Sequence, residues 1–252
     1  MLSQATIKLI HSLEQKKFRN QHKLFVAEGT KIVHEIIKQK WPIEQIYATN
    51  EWSEIKRFPK TTIITETELK RISFQKTPQH VVVICKIKES TIDFAELKDS
   101  LCIALDDVQD PGNVGTIIRI ADWFGIKHIF AGTGTAELYN PKVIQSTMGA
   151  FTRVNVYTTE LTSFIEEYKI QTNLPVFGTL LNGNNLYQEK FSANGMLVMG
   201  SEGNGISAEI QNLLTHRLFI PPFPMGLQTS ESLNVATATA IVCAEFRRVQ
   251  QV

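Results

Sequence analysis

The chain opens with apolar residues at helical spacing, Ile7, Ile10 and Leu13, which predict a helix over about 4–17. The polar, basic stretch KKFRNQHK then reads as a connection. The runs LFVAEG, IEQIYAT, TTIIT and HVVVICKI predict short strands, the first ending at Glu28–Gly29. Ile32, Val33, Ile36 and Ile37 mark one face of an intervening helix, and ETELKRI adds a further helical turn. Short strands alternating with helices predict a small α/β layer ending near Ile87. The polar segment KESTIDFAELKDS reads as a linker with a short helix. The expected division is therefore a first domain over 1–89, a linker over 90–98 and a second domain over 99–252.

The alternation resumes with longer elements. LCIALDDV, KHIFAG, RVNVYTT, LPVFGTLLNG, GMLVMG and HRLFIP predict strands. PGNVGTIIRIADWFG, VIQSTMGA, ELTSFIEEYKI, the end of SEGNGISAEIQNLL and SLNVATATAIVCAEFRRVQ predict helices, with GTGTAELYNPK a loop. Strand–loop–helix units of this length imply an α/β fold with a mostly parallel sheet covered on both faces. Ligands in such sheets bind beyond the carboxyl ends of the strands.

Composition narrows the class. The 252 residues are 43% hydrophobic and 20% charged, as expected of a globular protein with a sizeable core. No run approaches a membrane span, and the start lacks the apolar block of a signal peptide. Three scattered cysteines, Cys85, Cys102 and Cys243, fit a reducing cytoplasm rather than a disulfide scaffold. Six histidines add no ligand-spaced cluster, so no metal is expected. The net charge of +1 hides an asymmetry: residues 1–89 carry 16 Lys+Arg against 9 Asp+Glu, whereas 90–252 carry 10 against 16. Within the basic part, Lys16, Lys17, Arg19 and Lys23 crowd one stretch and are candidates for RNA phosphate contacts.

Three loops carry the candidate chemistry. In the first, residues 105–125, Pro111 and Gly112 form a turn, Asn113 is placed to cap the following helix, and Gly115 permits close approach. Arg119 follows among apolar neighbours, about one and a half turns further on. A guanidinium there must meet Asp106, Asp107 or Asp110, solvent, or an anionic substrate. In the second, Gly200, Gly203 and Gly205 flank Ser201–Glu202 just past a strand. No Lys follows as in a phosphate-binding GxxxxGK[ST] loop, and the pattern is not a dinucleotide GxGxxG, so a flexible turn with Ser207 as helix cap is the plain reading. In the third, IPPFPMGLQTSESLNV, a proline-rich bend leads to a helix opened by Ser232 and Asn234, with Ser230 or Ser232 as ordinary caps or the free backbone NH groups as a polar-ligand site.

Taken in order, NxGxxxR after a strand, MGxEG, and IP…SLN opening a C-terminal helix resemble the SpoU-type (TrmH-like) RNA ribose 2′-O-methyltransferases. The resemblance covers about 100–248, and the first ~90 residues resemble the small ribosomal-protein-like RNA-binding domain that many members carry. It implies a parallel sheet threaded as a trefoil knot, S-adenosylmethionine as cofactor and a homodimer with the site completed near the subunit interface. The matching cofactor positions are Thr179, Leu180, Gly200, Glu202, Gly203, Ile220, Leu233 and Asn234. Arg119 matches the principal catalytic residue, with Asn113, Glu202, Ser232 and Asn234 positioning it, the RNA or the cofactor. The span from Ile220 to Ser232 is a few residues longer than the family's compact pattern, which blurs the matches at Met225, Gly226 and Leu227.

Methyl transfer from an activated donor needs neither metal nor nucleophilic cysteine, only a positioned and more nucleophilic hydroxyl. The expected substrate is structured RNA, ribosomal rather than transfer RNA, in the cytoplasm. A catalytically silent RNA-binding or assembly protein on the same fold is the alternative. A nicotinamide-dependent oxidoreductase lacks the GxGxxG with an acidic residue ~20 positions on.

Overall fold

In the computed structural model, which describes residues 2–52, 54, 58, 60–224 and 232–248, most boundaries follow the apolar patterning. The chain begins α1 (Gln4–Ser12), α2 (Lys16–His22), β1 (Leu24–Glu28), α3 (Thr30–Lys38), β2 (Ile43–Ala48), β3 (Thr62–Ile63), α4 (Glu66–Ile72) and β4 (Val81–Lys86). Next come α5 (Phe94–Lys98), β5 (Leu101–Asp106), α6 (Pro111–Trp123), β6 (His128–Gly132), α7 (Pro141–Thr147), β7 (Asn155–Thr159) and α8 (Leu161–Thr172). The rest is β8 (Val176–Asn185), β9 (Gly195–Gly200), α9 (Ala208–Gln211), β10 (His216–Phe219) and α10 (Val235–Arg248). The expected residues Met225, Gly226, Leu227 and Ser230 lie outside the described residues.

Two compact units emerge, and their boundary differs from the expected one. The first comprises Met1–Glu89 together with Glu137–Thr152; the second comprises Ser90–Ala136 and Arg153–Val252. The first has a four-stranded sheet in the order β1-β4-β2-β3, with β4 antiparallel to both neighbours. One face carries Ile7 and Ile10 of α1, Leu13 just past its end, and Leu69 and Ile72 of α4 against Val26, Val82 and Ile84. The inserted α7 packs on β1, and Phe25 meets Tyr139 at 4.7 Å and Phe151 at 5.8 Å. Residues 137–152, expected in the second domain, thus complete the core of the first unit. Their fully apolar side chains Val143, Ile144 and Phe151 gain more from covering Phe25 and Trp41 than from solvent.

The stretch KKFRNQHK, expected as a connection, is helix α2, closed by Lys23 in the left-handed region at φ 55°. Its residues are mostly good helix formers, and Arg19 turns inward while the other charges face solvent. The expected linker is also not free. Asp93 caps α5, and Ile92, Phe94 and Leu97 join the core of the second unit.

That second unit is a six-stranded sheet, β10-β8-β9-β5-β6-β7, parallel throughout. Phe130, Tyr157, Phe164, Tyr168, Val176 and Met196 form an aromatic-rich core on one face. Helices α6 and α10 pack together, with Phe246 edge-on to Phe177 at 4.9 Å. The chain builds β5, β6 and β7 outward in one direction, then places β9 and β8 on the other side of β5. The switch point therefore lies between β5 and β9, where a crevice for ligands is expected.

Candidate active site

Four chain segments meet beyond the carboxyl ends of the strands. The first is the opening turn of α6. Asp110, not Asn113, is its cap: the Asp110 carboxylate accepts from the Asn113 backbone NH at 2.8 Å, and Pro111 occupies the first turn. Asn113 is thereby released from capping, and its side chain points to the neighbouring loops.

The second segment is the tight hairpin after β9, residues 200–206. Ser201 and Gly205 exchange backbone hydrogen bonds at 3.1 and 2.9 Å. Gly205 adopts φ 66°, which favours glycine, and a Cβ on Gly200 would collide with the Gly205 backbone, so position 200 requires it. This hairpin presents Glu202. The third segment comes from β8. Its pairing with β10 runs Arg217↔Gly178 and then Leu218↔Asn184, so residues 179–183 bulge out unpaired. The fourth is the entry to α10, where Asn234, not Ser232, is the cap: its Oδ1 accepts from Ala236 N at 3.1 Å and Thr237 N at 3.2 Å.

Capping fixes which way the Asn234 amide faces, because its oxygen must meet those two donors. Its Nδ2 then donates to Asn113 Oδ1 at 3.0 Å and to Glu202 Oε1 at 2.7 Å. Asn113 Nδ2 also donates to Glu202 Oε1, at 2.6 Å. A closed triangle joins the three loops, and the Glu202 carboxylate takes two amide donors on one oxygen.

Beside the triangle lies a cavity of about 620 Å³. Thr179, Leu180, Gly200, Glu202, Gly203, Ile220, Ser232 and Leu233 all line it, seven of them expected cofactor positions. Asn234 stands in the triangle instead. Sequence reading missed Met199, Ile206 and Leu218, which look like ordinary strand or core residues, and Asn182, Asn204 and Gln211, which carry no motif. The volume falls in the range of small-molecule sites, about 300–1,000 Å³, and mixes apolar walls with polar backbone. That chemistry fits a ligand with a flat aromatic ring and a charged polar tail.

Arg119 is exposed on α6 and makes no hydrogen bond or ion pair with a described residue. Pairing with Asp106, Asp107 or Asp110 is not what the structure contains. An unpartnered guanidinium is left to solvent or an anion.

Residues 100–244 match the SpoU rRNA Methylase family, and residues 4–83 match an MRM3-like substrate binding domain. The chain belongs to the SpoU rRNA methylase family. A curated relative of this SpoU member, from Bacillus subtilis, is named a 23S rRNA guanosine 2′-O-methyltransferase; it is 30% identical, with 93% of each chain covered. A TrmH-family protein from Porphyromonas gingivalis is 37% identical over 99% of both chains, with a TM-score of 0.86. An AdoMet-bound rRNA methyltransferase from Sinorhizobium meliloti is 27% identical, covers 99% of this chain and 96% of its own, and has a TM-score of 0.86.

In the first unit of this SpoU protein, Lys16, Lys17 and Lys23 are exposed, Lys23 in a 2.8 Å surface pair with Glu89. Arg19 is not available to RNA. It is 2% exposed, its Nη1 donates to the carbonyls of Leu13 at 2.9 Å and Glu14 at 2.6 Å, and its Nη2 pairs with Glu137. The fold also assembles Glu51, Glu66 and His80 into a surface group that spacing did not reveal, with the two carboxylates 3.3 and 3.8 Å from the imidazole Nδ1. All three cysteines of the SpoU chain are buried, and burial pushes the Cys102 and Cys243 thiols up to about 12, opposite to what a nucleophilic thiolate needs.

Proposed function

We propose that this protein transfers a methyl group from S-adenosylmethionine to a ribose 2′-hydroxyl of structured ribosomal RNA. The single observation that carries the reading is the Asn113–Glu202–Asn234 triangle beside the cavity, in a chain of the SpoU rRNA methylase family. An inert RNA-binding fold has no need of that convergence.

The residues that would hold the donor are Thr179, Leu180, Gly200, Gly203, Ile220 and Leu233, which line the cavity; apolar side chains and bare glycines there would suit an adenine. When bound, S-adenosylmethionine supplies an electrophilic methyl on a sulfonium. The protein's task is then to bring a weakly acidic hydroxyl into line and to favour its loss of a proton. Arg119 does this by clamping an RNA phosphate and lowering the hydroxyl's proton affinity through its fixed charge. A guanidinium is too basic to accept the proton in ordinary surroundings, so its contribution is electrostatic. Asn113, Glu202, Ser232 and Asn234 hold the surrounding loops in register, and placement supplies much of the rate. The exposed Lys16, Lys17 and Lys23 steer the RNA through its phosphates.

A cytoplasmic homodimer with a trefoil-knotted C-terminal part completes the reading. Trp123 on α6, 85% exposed in the single chain, supports a partner surface on the helix that bears Arg119. Among the described residues no helix is long and apolar enough to cross a membrane.

Calorimetric titration with S-adenosylmethionine, with NAD as comparison, tests the cofactor. Transfer of labelled methyl to unmodified ribosomal RNA, followed by mapping of methylated riboses, tests the reaction. Selective binding and ribose methylation are expected. Binding of NAD instead, or RNA binding with neither cofactor bound nor methyl transferred, overturns the proposal.

A further inference from the structure

One buried acidic side chain beside the site has no part in the chemistry above. Asp106 is the last residue of β5 and is 8% exposed. Its backbone pairs with Gly200, where the Glu202 hairpin begins. Its carboxylate Oδ2 accepts from the backbone NH of Ser207 at 2.7 Å, where the hairpin ends. Between those points the hairpin closes on itself through Ser201 and Gly205, with Asn204 N donating to Ser201 Oγ at 3.2 Å. Ser207 opens α9 without a side-chain cap, so its own hydroxyl does not secure this end of the loop. One residue thus grips both ends of a loop whose middle carries Glu202 and whose inner surface walls the cavity.

We propose that Asp106 is a positioning residue that sets the hairpin 200–206, and through it the cofactor wall and the Glu202 corner of the triangle. The inference rests on the methyltransferase reading for its consequence in activity, though not for the grip itself. Asp106 does not line the cavity, so it acts on the reaction only through the hairpin. The bond to Ser207 is charge-assisted and largely shielded from water, which makes it stiffer than a surface contact. Releasing it frees the Ser207 end while the Gly200 end stays in the sheet, so the loop pivots instead of detaching. Such a pivot moves Glu202 relative to Asn113 and Asn234, and displacements near 1 Å are worth about 100-fold in rate.

Three variants of the full chain test this. Asp106→Ala removes the acceptor; Asp106→Asn keeps an acceptor of the same length; Ser207→Pro removes the donor at a backbone φ of −59° that proline accepts. Asp106→Ala and Ser207→Pro should each weaken S-adenosylmethionine binding and lower kcat by about 10–100-fold, leaving the RNA KM within about twofold. Their combination should add little to either alone, because both remove one contact. Asp106→Asn should retain most of both properties. In ligand-free protein, hydrogen exchange of amides 201–206 should accelerate in Asp106→Ala and Ser207→Pro, with amide 207 following in Asp106→Ala, and all should stay near wild type in Asp106→Asn.

Wild-type exchange at 201–207 in Asp106→Ala overturns the grip. Equal losses in Asp106→Asn and Asp106→Ala, or an RNA KM that moves as far as kcat, overturn the positioning role. Failure of the wild-type protein to bind S-adenosylmethionine strikes at the methyltransferase reading instead, and the exchange measurement still decides whether Asp106 holds the loop.

Discussion

Asn113 and Asn234 lie 121 residues apart in the chain and share a 3.0 Å hydrogen bond. The same Asn234 side chain caps α10 with its oxygen, so one amide performs two separable tasks. Asn234→Ser should preserve the cap and lose the bridge, because a serine side chain is too short to reach Asn113. Asn234→Ala should lose both, at about 1 kcal/mol of stability for the cap. Thermal melts should therefore separate the two variants, while methyl-transfer assays should find both impaired by about 10–100-fold. Full activity in Asn234→Ser would remove the bridge from the mechanism.

Arg119 is exposed and unpaired among the described residues, so its removal disturbs little else in the structure. Arg119→Ala should leave S-adenosylmethionine affinity and melting temperature close to wild type and reduce turnover by about 10²–10³-fold, the usual loss of a transition-state electrostatic contact. Arg119→Lys keeps the charge without the planar fork and should recover only part of the rate. Calorimetry with single-turnover kinetics checks both.

The basic stretch divides into surface and buried charges, and mutation should show it. Replacing Lys16 and Lys17 together by Ala should weaken RNA binding and flatten the slope of log affinity against log salt by about 1–2. Arg19→Met should instead destabilise the first unit by about 3–5 kcal/mol, because it leaves the half-buried Glu137 carboxylate and the Leu13 and Glu14 carbonyls without their donor. Filter binding across a salt series distinguishes these effects, with denaturant melts for Arg19→Met.

Much of this arrangement was legible before the structure. Spacing at Ile117, Ile118 and Ala121 gave α6, and the polar clusters around Asn113, Glu202 and Asn234 gave the three loops that converge. Two of the errors originate in contacts distant along the chain, and one in a local competition that pattern does not settle. Arg19 reads as RNA-facing because its neighbours are basic; its burial against the Glu137 carboxylate, 118 residues away, and its bonds to the Leu13 and Glu14 carbonyls show that it is structural. Asn113 looks like a cap because Asp110 competes for the same role three residues earlier, and local pattern does not rank them. The bulge at 179–183 is hidden because Thr179, Leu180 and Leu181 continue the strand pattern; Asn182 and Gly183 are the local sign of a break, and the pairing of Leu218 shows where the ladder skips.

His128 supplies a pH-dependent test. It is 4% exposed, stacks on Tyr157, and lies 3.4 Å from the Tyr157 hydroxyl. Burial holds its imidazolium below the ordinary histidine range, Glu96 opposes this, and Lys127 reinforces it. Below the unfolded value of about 6.5, the unfolded chain therefore binds more protons than the folded one. The stability tied to this group is complete at neutral pH and declines as acid carries the solution from about 6.5 toward the depressed folded value. His128→Phe should show a smaller fall in melting temperature between about pH 7 and 5 than wild type. Parallel curves for the two proteins would assign the acid sensitivity elsewhere.

The first unit borrows Val143, Ile144 and Phe151 from a segment that follows β6 of the second, which imposes an order on its biosynthesis. When residue 89 has left the ribosome, the Phe25–Trp41 surface is already made but has no cover. At about 5–20 residues per second, the missing residues through Thr152 arrive about 3–13 s later. In that interval the nascent chain exposes an aromatic surface that only its own later sequence can close. A chaperone that reads exposed apolar groups should therefore engage nascent chains whose last emerged residue lies between 89 and 152 and release those that have emerged well beyond.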